Sequence, residues 1–163
     1  MEKVHAIELK NITKTFGRIT ANKNVNLYVD KGVVMSLLGE NGSGKTTLMN
    51  MLAGIYYPDE GEIYIDGKPV SIRSPKDAYD HHIGMIHQHF KLVDVFTAAE
   101  NIVLGLNNEE GKLDHKKIVE KVSSIANKYG FEIDPNKKIY DMSVSEKQTV
   151  EILKVLYRGA DVL

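Results

Sequence analysis

The run Gly39-Glu40-Asn41-Gly42-Ser43-Gly44-Lys45-Thr46 constrains this chain more than any other stretch. It satisfies G-x-x-x-x-G-K-[ST] at every fixed position, between an apolar run ending at Leu38 and a helical pattern opening at Lys45. Glycines let a backbone curl around a phosphate with its N–H groups inward, and a helix start adds partial positive charge. Lys45 is placed to reach the β- and γ-phosphates, the Thr46 hydroxyl to ligate Mg²⁺, and Thr47 to add a phosphate contact. Gly39, Asn41, Gly42, Ser43 and Gly44 line the expected cradle. The nearly all-apolar run 33–38 reads as a central strand, buried on both faces of a parallel sheet. The fold class expected is therefore α/β.

The surrounding pattern supplies the other elements. Alternation predicts half-buried strands over 4–12 and 24–29, the second with Val25, Leu27 and Val29 on one face. A strand over 61–66 turns at Asp66–Gly67, and a short apolar strand covers 83–87. Helices are expected over 45–52, with Leu48, Met51 and Leu52 inward, and over 75–80, with Ser74 as cap and Pro75 in the first turn. Thr97 caps a segment running to about Leu104, 107–112 read as loop, and 115–129 carry Ile118, Val122, Ile125 and Ala126 as one stripe. Ser143 caps a last helix near 145–157. The 163 residues allow one domain with a sizeable core. The absence of cysteine excludes disulfides, cysteine zinc sites and thiol catalysis. A net charge of −1 gives no footprint for nucleic acid. No apolar run reaches membrane-spanning length, so a soluble chain in the cytoplasm is expected.

A phosphate loop alone does not fix a reaction. Guanine readers use Asn-Lys-x-Asp, and both Asn22-Lys23-Asn24-Val25 and Asn136-Lys137-Lys138-Ile139 fail at the last residue. Small-molecule kinases usually open on the phosphate strand and use basic lids; here two strands come first and arginine is scarce. Three further stretches widen the match: Thr15-Phe16-Gly17, Met85-Ile86-His87-Gln88-His89-Phe90 and Met142-Ser143-Val144-Ser145-Glu146. With them the chain resembles the N-terminal part of an ATP-binding cassette (ABC) subunit of a membrane transporter. Gln88-His89-Phe90-Lys91-Leu92-Val93, Ser74-Pro75-Lys76-Asp77-Ala78 and Glu151-Ile152-Leu153-Lys154 are similar to importers of simple sugars and nucleosides.

The resemblance implies an incomplete P-loop NTPase domain of ABC type, with an N-terminal antiparallel β portion and a helical subdomain. It implies a β portion and P-loop core over 1–95, a helical subdomain over 96–158, and the start of the Walker B strand over 159–163. It implies ATP and Mg²⁺ as cofactors, with Phe16 stacking on adenine and Lys45 and Gln88 acting in catalysis. Thr46 and Gln88 would approach the metal, and Ser143 and Ser145 would complete the site of an opposed cassette. Read without the resemblance, Phe16 could equally be a core aromatic and Gln88 a solvated loop residue. The implied partners are permease subunits, a second cassette and, indirectly, an extracytoplasmic solute-binding protein. The implied place is the cytoplasmic face of the membrane.

Two departures stand out. Ser145 occupies a position where the family usually has glycine, which would crowd close approach to a γ-phosphate. The Walker B acids and the switch histidine are missing, so the chain is expected to stop before them and to bind ATP without efficient hydrolysis. The alternatives are a nucleotide-binding fragment or regulatory module without ATPase activity and, further off, a small-molecule kinase. A missing central strand would leave 33–38 with an exposed edge that invites association.

Overall fold

The computed structural model describes residues 4–106 and 114–163. The expected loop 107–112 lies outside the described residues. The chain divides into two compact units, Met1–Ile83 and Gly84–Leu163.

The first unit is built on an antiparallel sheet. Strand β1 (Ile7–Phe16) turns back as β2 (Ile19–Val29), and β1 pairs on its other side with β3 (Glu60–Ile65), which pairs with β4 (Lys68–Val70). The order is β2-β1-β3-β4. Register follows side-chain alternation: Ile7 faces Val29 and Ile65, and Leu9 faces Leu27 and Ile63. Ile7, Leu9, Ile12 and Ile63 are buried, while Val25, Leu27 and Val29 lie half-buried as their alternation predicts. The expected turn at Asp66–Gly67 is present with both residues left-handed (φ 49° and 74°), the geometry that a two-residue hairpin favours. Strand β4 behind it was not expected; three residues containing a proline carry little alternation.

Helix α1 (Lys45–Leu52) follows the phosphate loop, lies against β2, and buries Leu48, Met51 and Leu52. Helix α2 (Pro75–Asp80) starts where the sequence places it: the Ser74 hydroxyl accepts from the Asp77 N–H, with Pro75 in the first turn.

The run 33–38 is not the buried central strand that its composition suggested. It forms no ladder, and Val34 and Leu38 are 98% and 92% exposed. A strand exists only through its neighbours' hydrogen bonds. Every strand pair among the described residues is antiparallel and belongs to the β2-β1-β3-β4 sheet. The expected strand 83–87 likewise forms no ladder of its own; in the second unit the Gly84 N–H donates to the Val162 carbonyl at 2.8 Å.

The second unit is helical: α3 (Ala98–Val103), α4 (His115–Tyr129), a 3₁₀ turn (Ile139–Asp141) and α5 (Val144–Tyr157). Ala98, Ala99, Ile102, Ile118, Val122, Ala126, Ile139, Val150 and Leu153 form one buried cluster. The start signals act as expected. Thr97 and Glu100 make a reciprocal capping box at α3, and Ser143 and Glu146 another at α5. Helix α4 ends on Gly130 in the left-handed conformation (φ 74°).

Two buried polar side chains fix the segment that leads into α3. Asn101, fully buried, accepts from the Val93 N–H (2.7 Å) and donates to the Val93 and Thr97 carbonyls (3.1 and 3.0 Å). Glu151, 4% exposed on α5, accepts from the Lys91 N–H at 2.7 Å. Both hold backbone groups that otherwise lose water without compensation. Replacing Asn101 with Ala should therefore destabilise the protein by about 1–3 kcal/mol, measured by urea denaturation, because three polar partners are left behind.

Candidate functional site

The phosphate loop is formed although the strand before it is not. Its position comes from β2. Gly44 has φ 85°, and a Cβ there would run into the Ala21 carbonyl oxygen and lie 2.7 Å from Asn22 Nδ2. Only glycine combines that conformation with that approach. The Gly44 carbonyl accepts from Leu48 N–H (2.9 Å), opening α1, and from Asn22 Nδ2 (3.3 Å). Asn22 is 7% exposed, and its Oδ1 has no hydrogen-bond partner among the described residues.

Inside the loop, Lys45 folds back. Its ammonium donates to the carbonyls of Gly39 (2.8 Å) and Glu40 (2.7 Å) and to Ser43 Oγ (3.2 Å). The Ser43 N–H donates to the Glu40 carbonyl at 3.2 Å. A Cβ on Gly39 would stand 2.9 Å from Ser43 Oγ, so any larger residue there would turn that hydroxyl aside. Asn41 and Gly42 sit at the exposed turn, Thr46 is exposed and Thr47 half-buried. The residues fit a polyphosphate: a cradle kept free of side-chain volume, a lysine ammonium inside it, and a helix start below. One exposed hydroxyl, Thr46, suits Mg²⁺, a cation that keeps several waters and leans on phosphate oxygens.

Phe16 ends β1 at the tip of the first hairpin. The ring is 41% exposed, so it is not the core aromatic that the residues alone left open. Tyr56 meets it edge-on, with centroids 5.1 Å apart and planes at 70°. Asp59 accepts from Lys14 Nζ and from the Thr15 N–H, both at 2.7 Å. These contacts, from the Lys14 ammonium first and the Thr15 N–H next, hold the Asp59 carboxyl below its ordinary range.

The other expected site residues belong to the second unit. Gln88 is exposed in an irregular bend, ahead of the backbone that Glu151 and Asn101 hold. Ser143 and Ser145 are exposed at the start of α5, beside Val144 at 72% exposure. The Ser143 hydroxyl accepts from the Glu146 N–H (3.3 Å), and the Ser143 N–H donates to Glu146 Oε2 (2.7 Å). Lys137 Nζ reaches Glu146 Oε1 at 2.6 Å. That ammonium, followed by the Ser143 N–H, pulls the Glu146 carboxyl down to about 2.

The profile of the ABC transporter family matches residues 22–163. The chain belongs to this family. The cassette is 52% identical over 160 residues to the guanosine import ATP-binding protein NupO of Bacillus subtilis, covering 98% of this chain and 31% of that protein. It is 49% identical over 158 residues to the nucleoside import ATP-binding protein NupA of Lactococcus lactis (96% and 31% covered). It is 40% identical over 164 residues to the ribose import ATP-binding protein RbsA of Yersinia pestis (100% and 32% covered). The cassette thus spans about a third of the length of the curated relatives it matches. Among solved structures it superposes with a TM-score of 0.82 on a nucleotide-free ATP-binding cassette from an ABC transporter, 27% identical, covering 96% of this chain and 66% of that one. The dimeric structure of a bacterial ABC transporter cassette gives a TM-score of 0.74 at 31% identity, covering 94% and 70%.

Sequence reasoning passed over four residues that shape these sites. Asn22 drew notice only as part of a failed guanine motif, and neither Tyr56 nor Asp59 was given a role. Glu151 stood only inside a phrase shared with importers. Each acts through a long-range contact that local pattern does not encode.

Glu146 sets an acid limit on the α5 cap. Its carboxylate is favoured in the folded state, so its contribution is present above the ordinary value of 4.5 and is lost as pH falls from there through about 2. Lys137→Met should move the Glu146 titration upward, read by carboxyl-selective NMR, and make the stability lost on acidification below 4.5 smaller and complete at higher pH.

Proposed function

We propose that this chain is the ATP-binding part of an importer for nucleosides or simple sugars. On this reading it works on ATP with Mg²⁺ from the cytoplasmic face of the membrane. The observation that carries the reading is the phosphate loop, with Gly39, Ser43, Gly44 and Lys45 drawn into one ring over the start of α1. The named relatives, which import guanosine, nucleosides and ribose, support the solute class. Among the described residues no helix is long and apolar enough to cross a membrane.

In this role the loop N–H groups and the Lys45 ammonium take the β- and γ-phosphates. Phe16 offers its exposed ring to adenine. The Thr46 hydroxyl would hold Mg²⁺, which would supply charge neutralisation at the phosphates. Gln88, by the family resemblance, would serve the metal and the attacking water. Ser143 and Ser145, at the helix start of α5, face the nucleotide of an opposed cassette, where backbone N–H groups and the helix dipole favour anionic oxygens. A solute-binding protein that feeds the permease belongs to the same scheme.

A second reading, nucleotide binding with weak or no hydrolysis, draws support from Ser145. Its exposed side chain stands in the first turn of α5, beside Val144. A Cβ and hydroxyl there keep an opposed phosphate at a distance that glycine would not.

Titration with ATP and Mg²⁺ should give saturable binding that Lys45→Ala weakens at least tenfold; equal binding by the two proteins would remove the central claim. Ser145→Gly should raise ATP turnover by the transporter several-fold. An unchanged rate would dismiss the crowding argument and leave the first reading without its rival.

A further inference from the structure

Phe16 sits at a hairpin tip, where a ring with few neighbours is free to turn about its first torsion. Yet its surroundings are ordered from two directions. On one side, Tyr56 packs its ring against Phe16 at 5.1 Å and 70°, the edge-to-face arrangement that matches a positive ring edge to a negative face. Tyr56 itself is 37% exposed, so the pair is not held by general burial. On the other side, Asp59 fixes the strand that ends in Phe16. Its two oxygens take the Thr15 N–H and Lys14 Nζ, while its own N–H donates to the Thr13 carbonyl at 2.9 Å. The Lys14 ammonium so held lies 5.5 Å from the Phe16 ring centroid.

The same loop is tied to the phosphate loop through α1. The N–H groups of Ile55 and Tyr56 both donate to the Asn50 carbonyl, at 2.9 and 3.2 Å. Asn50 lies in the helix whose first residue is Lys45. Eight helical residues make a rod of about 12 Å. One end carries the lysine; the other carries the backbone of the ring that meets Phe16.

We propose that Tyr56 and Asp59 are positioning residues for base recognition: they set the orientation of the Phe16 ring and fix its placement relative to the phosphate loop through α1. The inference rests on the reading of Phe16 as the adenine platform. Neither residue touches the nucleotide in this scheme. The edge-to-face contact with Tyr56 selects one orientation of the Phe16 ring, and Asp59 anchors the backbone that carries it. Losing either leaves the phosphate cradle intact and weakens only the part of binding that depends on the base.

The test compares ATP with inorganic tripolyphosphate, each with Mg²⁺, by calorimetric titration of the full chain and its variants Tyr56→Leu, Tyr56→Phe, Asp59→Asn and Phe16→Ala. Tyr56→Leu and Asp59→Asn should each weaken ATP binding roughly 3- to 10-fold, the range of an aromatic pair, and leave tripolyphosphate within twofold. Tyr56→Phe keeps the ring edge and should bind ATP like the parent. Equal losses for both ligands would overturn the proposal, since the cradle itself would then be disturbed. So would unchanged ATP binding by Tyr56→Leu and Asp59→Asn alongside a clear loss in Phe16→Ala. If Phe16→Ala also binds ATP unchanged, the adenine reading of Phe16 fails and takes the proposal with it. Tyr56 and Asp59 are both exposed, so none of these substitutions empties a core.

Discussion

The approach of Gly44 to β2 holds the first unit's function together. Phosphate loops are usually thought of as the end of a central strand; among the described residues, those before the loop join no strand ladder. The loop is seated from behind instead. The Gly44 backbone lies against the Ala21 carbonyl, Asn22 donates to the Gly44 carbonyl, and α1 begins from that same carbonyl. The antiparallel sheet thus does more than cover a flank. It gives the loop a floor, and with it the direction in which α1 leaves.

The second unit uses a different device for a related purpose. Its helices pack through an apolar cluster, which gives stability but little control over the irregular backbone beside Gln88. Control comes from two buried polar side chains. Asn101 closes three hydrogen bonds on residues 93 and 97, and Glu151 takes the residue 91 amide. A buried carboxylate is costly unless its hydrogen bonds are met, so its use here binds the loop to one path. The helix starts are equally specified, with capping boxes at Thr97 and Ser143.

Much of this was legible in the sequence. The extent of α1 and α4, the caps at Ser74, Thr97 and Ser143, and the Asp66–Gly67 turn follow from short-range rules: a side chain reaching an amide three residues on, or a backbone angle that few residues tolerate. The family likeness, carried by the phosphate loop and by the stretches around Phe16, Gln88 and Ser143, was legible as well. What failed was the burial of 33–38. Its composition describes the environment that such a strand requires, and that environment is made of other strands. Among the described residues no parallel neighbour pairs with it, and Val34 and Leu38 are exposed. The contacts of Asn22, Tyr56 and Asp59 were missed for a related reason: each joins residues far apart in the chain.

The folded-back lysine changes how anion capture in the loop is to be understood. Lys45 already has all three ammonium donors engaged, on two carbonyls and a hydroxyl. On the proposed reading, taking up a phosphate would exchange neutral acceptors for charged ones, and its free energy would be a difference between two occupied states. The side chain also braces the loop, because the Gly39 and Glu40 carbonyls share it as a common donor. One ammonium thus works as an internal clasp: it ties the entrance of the loop, at Gly39 and Glu40, to Ser43 and to the first residue of α1.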